Sequence, residues 1–221
     1  MVLVMEEFSL ISSPIQPHLA RLIKNCQSSF MMASPYIKKS AVDWLIETKP
    51  SSVTNISVLT NISLANIFSN SLETSALRLV FDNFSVASIV SLPYLHAKVF
   101  IADKNMALVT SANFTNGGLW KNYEYGVLIR DAGVVEKIAD DISAYMNLGG
   151  IVSPEFLNAV ETKVMELTRD EENIKTHSAT KSLHRKLQQS QTDLQDILLA
   201  NRLREGQTIN NLFSQTILLI L

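Results

Sequence analysis

Apolar positions follow one spacing, then another, along this chain, and the changes mark out its elements. Over residues 15–27, Leu19, Leu22, Ile23 and Cys26 recur every three or four residues, which predicts a helix. Residues 28–37 predict a buried strand that ends at the Ser34-Pro35 breaker. Residues 40–48 predict a helix capped by Ser40, and the β-branched residues 53–59 a strand. A helix over 63–75 and short strands over 76–81 and 86–91 follow. Residues 95–102 and 106–111 read as two strands joined by a turn at Ala102-Asp103-Lys104-Asn105. Residues 113–118 read as a loop with its turn at Asn116-Gly117-Gly118, and 123–130 as a third strand. Residues 132–147 form an amphipathic helix, with Val135, Ile138, Ala139, Ile142 and Met146 on one side and Gly149-Gly150 at its end.

Beyond Gly150 the rhythm is helical only. Leu157, Val160, Val164 and Leu167 keep it, as do Leu183, Leu187, Leu194 and Ile197. This predicts one long helix, or two in series with a break near 176–182, whose stripe packs on the sheet domain or on a partner chain. Mixed strands and helices up to Gly150 predict an α/β domain over 1–150. The helical extension over 151–221 is then a dimerisation arm or interaction segment.

Composition narrows the function. The 221 residues are 47% apolar and 18% charged, which is globular composition. The net charge is −2, so a polyanion partner must be recognised by local charge. Cys26 stands alone, which rules out an internal disulfide and a cysteine-rich zinc site and fits a reducing compartment. The first residues lack a basic leader, and no apolar run nears the roughly 20 residues needed to span a bilayer. A cytoplasmic protein without a membrane partner is expected.

The central strands carry the chemistry. In Leu95-His96-Ala97-Lys98-Val99-Phe100-Ile101-Ala102-Asp103, side chains alternate faces. His96, Lys98 and Phe100 share one face, while Leu95, Ala97, Val99 and Ile101 point into a core. Ser111 and Asn113 share parity on the next strand, and a hairpin brings the four polar groups together. The set suits a phosphodiester. Lys98 offers fixed positive charge, and Ser111 and Asn113 donate hydrogen bonds to the phosphate oxygens. Neutral His96 attacks phosphorus, and a second, protonated imidazole donates to the leaving oxygen. An acid must fix the attacking ring's tautomer, and Glu124 is the candidate. This chemistry needs no metal and no cofactor. Lys98, Ser111, Asn113, Trp120 and Lys121 are the expected substrate contacts. Trp120, Tyr123 and Tyr125 are candidate base-stacking groups, against the alternative of half-buried strand and loop aromatics.

His-x-Lys-x4-Asp over 96–103, followed by Thr110-Ser111-x-Asn113, resembles the HKD signature of the phospholipase D superfamily. The close match runs over 93–130, and the Ala33-Ser34-Pro35-Tyr36 run resembles the start of such domains. The family pattern has glycine where Thr110 stands. A β-branched residue cannot take glycine-only backbone angles, so an altered turn before Ser111 is expected. Glu124 sits where the family places the acid that pairs with histidine. The resemblance implies an αβα sandwich with a mixed sheet, a covalent phosphohistidine, and two motifs per active site. This chain has one complete motif; the other histidines, His18, His177 and His184, do not begin a second one. A homodimer with two copies of His96 across a two-fold axis answers that need. Asp103 counts with the site by motif, but its parity differs from that of His96 and gives it a bracing role.

A single motif, small size and no membrane segment point to the nuclease branch, which includes restriction endonucleases. DNA is expected ahead of RNA, with a larger defence or repair complex as a possible setting. Two alternatives stand beside it: a phospholipase or phosphatidyltransferase with the same site, and an inactive copy that binds nucleic acid or serves assembly.

Overall fold

The computed structural model describes residues 7–173 and 189–200. In chain order the elements are β1 (Phe8–Ser12), α1 (Gln16–Lys24), β2 (Ser29–Ala33), α2 (Lys39–Thr48), β3 (Asn55–Thr60), α3 (Leu64–Phe68) and α4 (Thr74–Asn83). They continue with β4 (Val86–Ser91), β5 (Val99–Ala102), β6 (Met106–Thr110), β7 (Tyr125–Ile129), α5 (Ala132–Leu148), β8 (Gly150–Val152) and α6 (Pro154–Asn173). One π-helical turn, Gly117–Lys121, separates β6 from β7, and residues 189–200 are helical.

The eight strands form one sheet in the order β1-β7-β6-β5-β2-β3-β4-β8. Strands β2, β3 and β4 run parallel, and every other pairing is antiparallel. Alternation along the strands builds a core on each face. Phe30, Met32, Phe100, Leu108 and Leu128 pack with apolar residues of α1, α2, α4 and α6. Ala33, Val99, Ile101, Ala107 and Ile129 pack on Val135, Ala139 and Ile142 of α5. This is the mixed-sheet αβα sandwich. Each fully buried Leu, Ile or Phe in these layers contributes on the order of 1.5–3 kcal/mol.

Several elements differ from the sequence reading. Residues 76–81 are helical, within α4, because Ala76, Leu77 and Val80 form one buried face at helical spacing. Packing overrides the strand propensity of this stretch. The helix expected over 63–75 is instead the short α3, capped by Ser63, and the start of α4. Ser40 does not cap α2. Lys38 is the N-cap residue, and the Glu73 carboxylate accepts from Lys39 N at 2.6 Å in place of a cap side chain.

Two edge strands, β1 and β8, form where the sequence pattern predicts none. At the expected boundary near residue 150, β8 pairs with β4, and Phe156, Leu157 and Val160 of α6 enter the larger core. Arg78 of α4 meets Glu161 of α6 at 2.7 Å. In the helix over 189–200, Leu194 and Leu198 are buried in the same core, and Gln191 accepts from Leu64 N at 2.8 Å. The expected break near 176–182 lies outside the described residues. Among the described residues no helix is long and apolar enough to cross a membrane.

Candidate active site

One end of the sheet gathers the polar set. The start of β5, the end of β6 and the start of β7 are adjacent, since Val99 pairs with Val109 and Thr110 with Gly126. Regular pairing on β5 begins only at Val99, later than the sequence suggests. Before it, Leu95 N donates to Leu92 O at 3.4 Å in a tight turn, with Tyr94 at φ 62°. His96 and Lys98 stand in the approach to the strand, and Lys98 O accepts from Thr110 N at 3.1 Å. The expected alternation is kept: Phe100 enters one core, and Leu95, Val99 and Ile101 the other.

His96 is exposed and Lys98 is buried. The Lys98 ammonium donates to His96 O at 2.6 Å and lies 3.1 Å from His96 Nδ1. An ammonium only donates, so Nδ1 accepts and the neutral ring carries its proton on Nε2. In that tautomer Nε2 carries the hydrogen, and attack through Nε2 requires the proton on Nδ1 instead. Burial lowers the Lys98 pKa, and the nearby Glu124 carboxylate opposes that shift.

Glu124 does not hold the histidine within this subunit. Its Oε2 accepts from Ser111 Oγ, and its Oε1 accepts from Asn122 Nδ2 at 3.2 Å. Ser111 Oγ also accepts from Tyr125 N at 3.1 Å. The segment is clamped by Ser13, which the sequence reading missed. Ser13 Oγ donates to Asn122 O at 2.7 Å and accepts from Glu124 N, and Ser13 N donates to Glu124 O at 3.1 Å.

Asn113 is placed by a different anchor. Buried Ser34 accepts from Phe114 N at 3.0 Å, and Lys38 N donates to Phe114 O at 3.1 Å. Gly118, in the π turn where a plain loop was expected, packs directly on Asn113. A Cβ there would lie 2.3 Å from Asn113 O, so only glycine fits. Asn113 Oδ1 is buried without a hydrogen-bond partner among the described residues.

Thr110, at the position of the family glycine, is accommodated without strain. Its φ is not positive, and its hydroxyl donates to Tyr125 O at 2.9 Å and accepts from Ala112 N at 3.2 Å. On the facing strand a Cβ on Gly126 would lie 2.8 Å from Thr110 Cβ, so the glycine there makes room for the threonine. The expected alteration of the turn is therefore absorbed by this pair.

Asp103 lies at the opposite end of β5, in the hairpin turn with Lys104. Both have positive φ, 50° and 56°, as a type I′ turn requires. Its carboxylate accepts from Gln27 N, Ser28 N, Ser28 Oγ and Ser29 N, which ties the hairpin to the start of β2. Asp103 is thus remote from His96. Trp120 packs edge-on against Trp44 of α2 at 5.5 Å and belongs to the rim of the core, not to an open stacking platform. Lys121 is exposed, as are Tyr94, Tyr123 and Tyr125. Among the described residues no three His, Cys, Asp or Glu side chains gather as a metal site.

A cation, a histidine and hydrogen-bonding side chains thus share one end of the sheet. The chain belongs to the phospholipase D-like superfamily: the family model described as "Cardiolipin synthase, PLD-like domain" matches residues 19–146. No curated protein sequence matches the chain. The fold is shared with Nuc, a phospholipase D family member from Salmonella typhimurium, at 18% identity and TM-score 0.52, over 66% of this chain and 97% of that one. NucT from Helicobacter pylori is similar at 16% identity and TM-score 0.52, over 64% of this chain and 96% of the other. Phosphatidylserine synthase from Haemophilus influenzae Rd KW20 is 19% identical with TM-score 0.51, over 64% of this chain and 37% of its own.

Proposed function

We propose that the chain is a metal-independent phosphodiesterase that cleaves nucleic acid, DNA ahead of RNA, in a homodimeric active site built on His96. The observation that carries this reading is exposed His96, its Nδ1 3.1 Å from the Lys98 ammonium, ahead of a strand whose neighbour β6 leads into Ser111. A substrate phosphate draws Lys98 toward its own oxygens and frees the ring. A nitrogen of His96 then forms the P–N bond as the P–O bond to the leaving group breaks. The leaving oxygen takes its proton from His96 of the partner subunit. That ring next takes a proton from water, whose oxygen attacks phosphorus as the P–N bond breaks. Lys98, Ser111 and Asn113 stabilise the charge that gathers on the phosphoryl oxygens. In this reading residues 151–221 serve dimerisation or interaction, and Glu124 holds Ser111 and Lys98 in place.

The nuclease assignment draws on the single motif, and on solved folds Nuc and NucT that this chain matches over nearly their whole length. A second reading, a lipid phosphodiester, is favoured by one observation: an apolar cleft of about 710 Å³ beside His96, walled by Leu92, Tyr94, Leu95, Tyr145 and Leu148. One assay separates the two. Plasmid DNA, RNA and phosphatidylcholine vesicles are offered with EDTA present. Nucleic-acid cleavage is expected to survive EDTA and to fall about 10⁴-fold or more in His96→Ala. Cleavage that requires added Mg²⁺ and survives His96→Ala overturns the mechanism. Lipid turnover without strand cleavage moves the protein to the second reading.

A further inference from the structure

A polar cleft of about 640 Å³ opens beside Asn113, in the size range of small-ligand sites. Its charged lining cancels. Lys38 is paired with Glu73 and Lys39 with Asp43, both at 2.9 Å. Two spent cations do not make a phosphate-backbone track, which needs free positive charge. What the cleft offers is primary amides: Asn70, Asn113, Asn116 and Asn122 line it, with the half-buried ring of Tyr36. An amide is both donor and acceptor, the pairing capacity that reads a base edge; Asn70 Oδ1 accepts from Lys38 Nζ at 2.7 Å, so Asn70 offers the cleft its Nδ2 donor. One of them is unsatisfied. Asn113 Oδ1 is buried with no partner among the described residues. Such an acceptor costs on the order of 1–3 kcal/mol, a cost removed when a ligand N–H enters. Because Asn113 also belongs to the phosphate site, the cleft and the scissile phosphate share a wall.

We infer that this cleft is a nucleobase subsite, which seats the base adjoining the scissile phosphate and reads its hydrogen-bonding edge through Asn70, Asn113 and Asn116. The inference rests on the nuclease reading and names what that site recognises besides phosphate. A base presents exocyclic amino and ring imino donors to Asn113 Oδ1 and acceptors to the amide nitrogens. The charge-neutral lining takes an uncharged group without displacing an ion pair.

The test uses the full chain and three substrates: a single-stranded oligonucleotide, the same strand with abasic residues, and bis(4-nitrophenyl) phosphate. Two variants are compared with the wild type. Asn116→Ala removes one exposed amide. Asn70→Gly removes another and keeps its backbone, which has φ 54°. The wild type is expected to cleave the base-bearing strand about tenfold more efficiently than the abasic one. Both variants are expected to lose most of that advantage through KM. Their hydrolysis of bis(4-nitrophenyl) phosphate should stay within about twofold of wild type. Equal cleavage of base-bearing and abasic strands by the wild type overturns the subsite, as does an equal loss on all three substrates. Hydrolysis of bis(4-nitrophenyl) phosphate with no strand cleavage overturns the nuclease reading itself.

Discussion

Lys98 is cationic, buried, and bonded to the residue it serves. Burial pulls its pKa down, and the Glu124 carboxylate holds it up. As pH rises, Lys98 therefore loses its proton before an exposed lysine does. The kcat/KM profile is expected to fall along an alkaline limb centred below 10.5, the ordinary lysine value. Glu124→Gln removes the charge that favours the ammonium, so the limb should move to still lower pH. A limb that stays in place would detach Lys98 from the rate. At this scale the sequence was informative where neighbours are local. Strict alternation put His96 and Lys98 on one face and their flanking apolar residues in a core. It was blind where the partner is distant in sequence. Ser13 clamps Glu124 across 111 residues, and nothing in Ser12-Ser13-Pro14 announces it. Gly118 carried a visible signal, the Gly117-Gly118 pair, but its meaning is a contact with Asn113 and not a turn.

The β5–β6 hairpin joins the two ends of the motif. Asp103 accepts four hydrogen bonds at its turn, and these outweigh burial to hold its carboxyl below the ordinary range. Its stabilising contribution is full above pH 3.8 and is lost as pH falls through the lowered folded-state value. Asp103→Ala leaves three backbone N–H groups without their acceptor and places alanine at positive φ. A loss of roughly 2–4 kcal/mol is expected in denaturant titration. Turnover per folded molecule should stay within about twofold of wild type. A collapse of turnover at unchanged stability would return Asp103 to the reacting groups. The hairpin was legible because its turn residues and alternation agree. The 76–81 stretch was not, because six residues rich in Leu, Val and Phe suit a strand as well as a buried helix. Only the packing of Ala76, Leu77 and Val80 against the core separates the two. Strands β1 and β8 are short edge elements, and their pairing partners alone define them.

At the scale of the whole molecule, the proposed chemistry needs two histidines and one chain supplies one. Tyr94, two residues before His96, is almost fully exposed, as is Tyr123 beside Glu124. Those rings border the site from which a second subunit would complete it. Wild-type and His96→Ala subunits, refolded together in equal amounts, pair as about 1:2:1. If a site needs both rings, activity falls to about a quarter of that of the same total wild-type protein. A fall to only about half would mean that each subunit works alone. The three layers of the fold were readable from the succession of apolar rhythms. For the segment that begins at 151 the sequence leaves two burial surfaces open, the sheet domain or a partner chain, and α6 sends Phe156, Leu157 and Val160 into the main core.

Strand β5 is the four residues that separate Lys98 from Asp103. The motif is therefore a measure of length, one strand's crossing of the sheet, with the proposed reaction groups at its near end and an anchor at its far end. Evolution acts on those ends separately. A descendant that has abandoned the reaction is free to discard His96 but must keep Asp103, since the anchor serves folding whether or not a substrate exists. On the proposed mechanism, a surviving aspartate thus testifies to architecture, and the histidine and lysine testify to catalysis.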